Sequence, residues 1–388
     1  MTVGFPLVDP VGPDSDGLPE AVAHIAAGIA PLAAEADEFG VRREAFVGLA
    51  EVGLHGRPLE PAADHRELAE LLAGADGSTW FCWTQHQGPV QALIRASQAG
   101  VRHRLLQDAV SGRLLFGVAF AHLRRPGPPN PVARVSGPGW VVDGTLDWIT
   151  GWDIAEWFML MVQIEGTNRC LAAVLPAGRG MVAGAVRGLL PGPPLRLLAM
   201  SGTHTRPIRL EGVHLHEEDV LYIEDIDSWR RPDALKAANA NPGTFGIARG
   251  ALADLELHLQ ERPDAELGEW LADLIAQVRE CRRHAYLLAD EIPDMNDPQA
   301  ERDLLQERRR ARAQSLRLAQ QATTAVIVAK SGGSMAAGSA AQRRAREALF
   351  MHVQAQTAEA GRAYAQLARQ AWQPGELGSS GLLVTPLR

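Results

Sequence analysis

At 388 residues, with 46% hydrophobic and 22% charged positions and a formal net charge of −8, the chain has a globular composition and is long enough for two or three domains. Its charges are interspersed in sign, which excludes the clustered Lys/Arg face that nucleic acid requires, and no run reaches the ~18 apolar residues of a membrane span. Cys82, Cys170 and Cys281 are too widely spaced for a zinc or disulfide framework, and the Pro/Gly/Asp-rich residues 1–16 lack the regions of a signal peptide, so a cytoplasmic protein with reduced core cysteines is expected.

Residues 1–17 read as a disordered or extended N-terminus, and residues 18–115 as a helical domain. Val22, Ile25, Ala26, Ile29 and Ala30 recur at spacings of three and four, as do Leu68, Leu71 and Leu72. Phe39 to Phe46 opens a further helix that stops near Gly53-Leu54-His55-Gly56. Asp76-Gly77-Ser78-Thr79 supplies a turn and N-cap before an apolar helix over 80–94.

Residues 116–228 read as a β domain. Gly and Pro become frequent, apolar runs shorten, and strands are expected at 115–121, 139–142, 147–150, 157–163, 170–175, 207–210 and 213–216, in a small barrel or sandwich. Within it, Trp148-Ile149-Thr150-Gly151 follows a Gly144 turn and places a flat ring and a hydroxyl two residues apart. Alternation puts both on one side of a strand, a pattern suited to a planar, hydrogen-bonding heterocycle. An ordinary hairpin with core tryptophans fits the same residues.

Residues 229–370 return to helical period, with the stripe Leu267, Trp270, Leu271, Leu274, Ile275, Val278 and Cys281. A long helix over 301–329 carries Arg308, Arg309, Arg310 and Arg312, which read as a solvated face beside Glu301, Asp303 and Glu307. Lys330-Ser331-Gly332-Gly333-Ser334 breaks it, one further helix covers 340–368, and a Pro/Gly/Ser tail fills 371–388.

In this order the features resemble the acyl-CoA dehydrogenase superfamily over nearly the whole chain. The resemblance implies an α+β fold: an N-terminal α-helical domain, a central β-barrel domain and a C-terminal four-helix bundle. Trp148-Ile149-Thr150 is similar to the strand on which that family stacks its flavin and places a Thr hydroxyl near N5. Thr203-His204-Thr205-Arg206 with Val213 and Glu218-Asp219-Val220-Leu221 resembles its Ser-Asp-Thr-Arg…Val…Glu-Asn-Val-Leu block. Gly246 to Ala251 looks like the start of its bundle, and Arg346-Glu347-Ala348 like the Arg-Asp-Ala of its last helix. The implied cofactor is FAD, with FMN as the alternative, in a homodimer or homotetramer. Arg206 either binds an anion or pairs with a carboxylate, and Arg346 and Glu347, on different helix faces, form separate ion pairs.

The departures bear on chemistry. Ala355 stands where the family carries the Glu that removes the substrate's α-proton, and a methyl group accepts no proton. An alternative location near the start of the bundle offers Lys236, with Asp233 three residues earlier as a candidate base. The flavin-binding loop becomes the segment Ala121 to Pro129, in which His122 is a candidate contact. Gln260 to Asp264 replaces the segment that grips the pyrophosphate, leaving Gly332, Gly333 and Ser334 as a loop able to receive a phosphate on backbone amides. His86 sits where monooxygenases of the same fold carry a His that supports the flavin hydroperoxide; a satisfied helix histidine is the other reading. Three functions follow: a dehydrogenase acting on an acyl thioester (on CoA or a carrier protein) or another small molecule, with an electron-transfer partner; a monooxygenase fed by a flavin reductase; or a flavin-free descendant.

Overall fold

The computed structural model describes residues 4–56, 60–125, 127–180, 186–293 and 297–370; the expected tail at 371–388 lies outside them. Six helices come first: α1 (Glu20–Ile29), α2 (Ala33–Phe39), α3 (Glu44–Glu51), α4 (Ala62–Ala75), α5 (Gly77–Arg95) and α6 (Ala99–Val110). The Asp76 side chain caps α5 as expected, accepting from the Thr79 amide (2.8 Å) and hydroxyl (2.6 Å). Phe39, expected to open a helix, instead ends α2. Gly40 follows with φ 106°, a conformation that no helix propagates, so the next helix waits until Glu44.

Eight strands form one sheet: β1 (Phe116–Ala119), β2 (Val132–Ser136), β3 (Gly139–Ile149), β4 (Trp157–Ile164), β5 (Arg169–Pro176), β6 (Leu189–Pro191), β7 (Arg206–Leu215) and β8 (Val220–Asp225). Their order is β6-β7-β3-β2-β4-β5-β8, with β1 parallel on β4. Among the described residues the terminal strands β6 and β8 do not pair with each other, and the central domain is built on this one sheet. The two expected strands at 139–142 and 147–150 are one, because Gly144 (φ 137°) makes a bulge inside β3 rather than a turn. Strands β4 and β5 are buried on both faces. Met159, Met161 and Val174 join a core with α5 and α6, while Phe158, Leu160 and Val162 point into the main core. Double-sided burial explains why these strands read as continuous apolar runs.

The remaining helices are α7 (Ile226–Ala238), α8 (Pro242–Glu261), α9 (Ala265–Asp290), α10 (Pro298–Lys330), α11 (Ala340–Phe350) and α12 (Ala358–Gln370), with α10 packed on α8, α9, α11 and α12. The single helix expected over 340–368 is two, separated by a turn in which Ala355 takes φ 49°. The arginine run on α10 is not a solvated face either. Arg308 and Arg312, four apart, turn inward and are buried. Arg308 donates to the carbonyls of Leu288 (2.9 Å) and Glu291 (2.6 Å), and Arg312 to those of Ala237, Gln354 (2.6 Å) and Ala355 (3.2 Å). These are carbonyls at helix ends and in the turn, which lack intrahelical donors.

One buried cation joins the two helical regions. Arg249 on α8, 1% exposed, donates to Glu67 (2.8 and 3.0 Å) and Glu70 (2.6 Å) on α4 and to Asp9 (2.5 Å). Glu70 also accepts from Arg282 (3.1 Å) and from the Tyr286 hydroxyl on α9. Arg279 and Arg282 hold the carbonyls of Pro10, Val11 and Gly12, so the N-terminal segment packs on α9 through its backbone. Close approach of α4 and α8 depends on glycine: a Cβ at Gly246 would fall well inside contact distance of the Glu70 carbonyl, and one at Gly74 would overlap Phe5.

Two histidines stack inside the N-terminal core. His55 and His86 have ring centroids 4.4 Å apart at 22°, and both are buried. Burial, with the Arg43 charge second, pushes His55 down to about 4; burial and then His55 push His86 well below the ordinary value of 6.5.

Three outcomes test this account. Arg249→Met strands Glu67 without its cation, leaves Glu70 to Arg282 alone, and should cost about 3–5 kcal/mol in chemical denaturation. Gly246→Ala should cost roughly 1–3 kcal/mol through overpacking against Glu70, with the same readout. Below pH 6.5 the unfolded chain protonates His55 and His86 whereas the folded chain does not until about pH 4 or lower. Stability should therefore fall as pH drops through this window, by up to about 1.4 kcal/mol per pH unit for each site, and His55→Phe should flatten the slope.

Candidate active site

The end of β3 lies beside the start of β7, with Ile149 paired in register with Arg206. Ile149 is fully buried, whereas Trp148 leaves half of its surface (50%) exposed, so it is not the core tryptophan of the plain hairpin reading. Thr150 falls just beyond the strand and is buried, facing β7 rather than sharing Trp148's exposure. The Gly151 amide donates to the Thr203 carbonyl (2.9 Å), the Thr205 hydroxyl donates to Thr150 Oγ1 (3.3 Å), and Thr203 and Thr205 Oγ1 lie 2.8 Å apart. The Thr203 hydroxyl also donates to the Met200 carbonyl (2.7 Å), so the three hydroxyls share their hydrogens within the row. Two motifs some fifty residues apart thus meet at the end of β3, a half-exposed Trp148 ring followed by a row of buried hydroxyls.

Arg206 takes the carboxylate-pairing option. It donates to Asp153 (3.1 Å) and to the Gly192 carbonyl (3.1 Å), and Asp153 also lies 2.9 Å from His204 Nδ1. The 3₁₀ turn Ala121–Arg124 borders the same strand end, since Arg125 pairs with Asp147 next to Trp148. Within that turn His122 donates from Nε2 to the Met161 carbonyl (2.8 Å), and burial pushes its pKa down to about 4, so the ring is neutral near pH 7. Pro126, in the same altered loop, lies outside the described residues. Arg124 forks onto both oxygens of Asp233 on α7 (2.7 and 2.6 Å). A carboxylate held in that geometry is committed to a guanidinium.

His86 is similarly occupied. Its Nε2 donates to the Ala109 carbonyl (3.0 Å) and its Nδ1 accepts from the Phe116 amide (3.1 Å), the arrangement of a satisfied helix histidine. Neither nitrogen is left for a ligand. Ala355 sits in the turn between α11 and α12, its carbonyl held by Arg312. Gly332 and Gly333 are exposed in the 3₁₀ turn Ser331–Met335, packed on α10 and α11, while Ser334 is buried and donates to the Ile327 carbonyl (3.2 Å). That turn does not open directly into a helix, because α11 begins at Ala340 with Ser339 as its cap. Arg346 reaches Asp37 (2.5 Å), and Glu347 reaches Arg343 (2.6 Å) and the Gly77 amide (3.3 Å), two separate ion pairs.

Asp153 carries no signal in the sequence because its partners, His204 and Arg206, are distant in the chain. The spacing of Thr203 and Thr205, two apart beside a strand start, was the available signal for the hydroxyl row.

No protein-family model matches the chain, and no curated protein matches it. Solved structures do. Glutaryl-CoA dehydrogenase from Mycobacterium smegmatis in complex with FADH2 is 16% identical with TM-score 0.70, covering 91% of this chain and 95% of that one. FMN-bound TdsC from Paenibacillus sp. A11-2, a dibenzothiophene monooxygenase, is 16% identical with TM-score 0.71, covering 92% and 98%. FkbI, for biosynthesis of the methoxymalonyl extender unit of the polyketide Fk520, is 18% identical with TM-score 0.70, covering 90% and 99%. Likeness of this extent across helices, sheet and bundle shows that the chain has the acyl-CoA dehydrogenase fold.

Proposed function

We propose that this protein is a flavin-dependent oxidoreductase. The observation that carries the reading is the half-exposed Trp148 ring at the end of β3, set beside the Thr150–Thr205–Thr203 hydroxyls. An aromatic face with an adjacent hydroxyl fits a planar heterocycle. Trp148 would hold the ring by stacking, with the Thr150 hydroxyl at its edge and Ile149 packing behind them. The Arg125–Asp147 pair keeps the His122 turn against this strand end. A bound flavin, FAD or FMN, would supply hydride or electron transfer. Similarity in fold to proteins seen with FADH2 and with FMN supports the same reading. The Gly332–Ser334 turn is the candidate for a phosphate from a second copy's cofactor.

What the chain does with substrate turns on the missing base. Ala355 carries no proton acceptor, and Asp233 is engaged by Arg124. A positioned general base contributes typically 10²–10⁴-fold, so abstraction of an α-proton from an acyl thioester would have to use another group. This favours a second reading, oxygenation with reduced flavin supplied by a separate reductase, which needs no such carboxylate. His86 would then act by shaping the core behind Thr150 rather than by touching substrate.

The purified protein should take up FAD or FMN with quenching of flavin fluorescence, and Trp148→Ala should weaken binding about tenfold, the worth of one stacked ring. Absence of binding to either flavin, oxidised or reduced, would remove the proposal. Anaerobic bleaching by acyl thioesters would select dehydrogenation. Substrate oxygenation that depends on NAD(P)H and a reductase would select the second reading.

A further inference from the structure

His55 is fully buried, and among the described residues neither ring nitrogen has a hydrogen-bond partner. Its neighbour His86 uses both of its nitrogens, so the contrast is local. The His55 ring has little room to turn. It stacks on His86, lies 5.8 Å from the Phe46 ring, and would be 3.2 Å from a Cβ at Gly112; its carbonyl accepts from Gln87 Nε2 (2.7 Å). It borders a small cavity of about 10 Å³, shared with Cys82, Trp83, Thr150, Gly151 and Ile154. Trp83 carries a second buried and unpartnered donor, its indole N–H.

A neutral imidazole has one N–H and one lone pair, and burying both unmade forfeits their hydration. A volume of roughly 10–15 Å³ accommodates one water, and an internal water typically makes two to four hydrogen bonds to otherwise unsatisfied groups. We infer that this cavity is a binding site for a single water molecule, which accepts from the Trp83 indole and donates to the His55 lone pair. It lies between helix α5 and the Thr150–Gly151 turn, on the buried side of the strand end. The inference stands independently of flavin binding.

A crystal structure of the protein at a resolution that shows ordered water tests it, together with those of His55→Phe and His55→Gln. One isolated density peak within about 2.6–3.2 Å of a His55 ring nitrogen is expected in the parent. The peak should be lost in His55→Phe and kept in His55→Gln. A cavity without density in the parent overturns the site.

Discussion

The fold depends on a buried guanidinium. Arg249 brings together α4, α8 and the N-terminal segment through Glu67, Glu70 and Asp9, and Glu70 extends the contact to Arg282 and Tyr286 on α9. Such a group is costly to bury and more costly to leave incomplete, so it tolerates few alternative arrangements of its partners. The glycines at positions 74 and 246 let the helices approach closely enough for the charges to meet. Charge satisfaction and close packing therefore specify one docking of these helices.

The same use of buried arginine recurs in α10. Arg308 and Arg312 place their guanidinium groups on carbonyls at the ends of α9 and α7 and in the turn after α11. The long helix thereby sets the ends of its neighbours, including the turn that carries Ala355. At that position the chain has a backbone carbonyl bound to a cation and a methyl side chain.

Much of the architecture was legible because it rests on local periodicity. The helical stripes of α1, α4, α5 and α9, the Asp76 cap and the apolar runs of β4 and β5 all follow from spacing and side-chain type. What was misread had no local signature. The break after Phe350 contains neither Pro nor Gly, β6 has three residues, and β2 is interrupted by Arg134. Gly144 looks the same in sequence whether it makes a turn or a bulge. The Arg308–Arg312 pair has the composition of a solvated face, and its acceptors are backbone carbonyls that composition does not reveal.

For the candidate site, the sequence by itself determined which groups exist: an exposed-capable tryptophan two residues from a threonine, a Thr-His-Thr-Arg block, a histidine on an apolar helix, and no carboxylate at 355. Only the tertiary structure decided which of them are free to act. Pairing of β3 with β7 joins Thr150 to Thr205, the Arg124 fork engages Asp233, and two backbone groups occupy His86. Hydrogen-bond capacity is finite, and whether a side chain spends it on the protein or keeps it for a ligand is settled by neighbours far away in the chain.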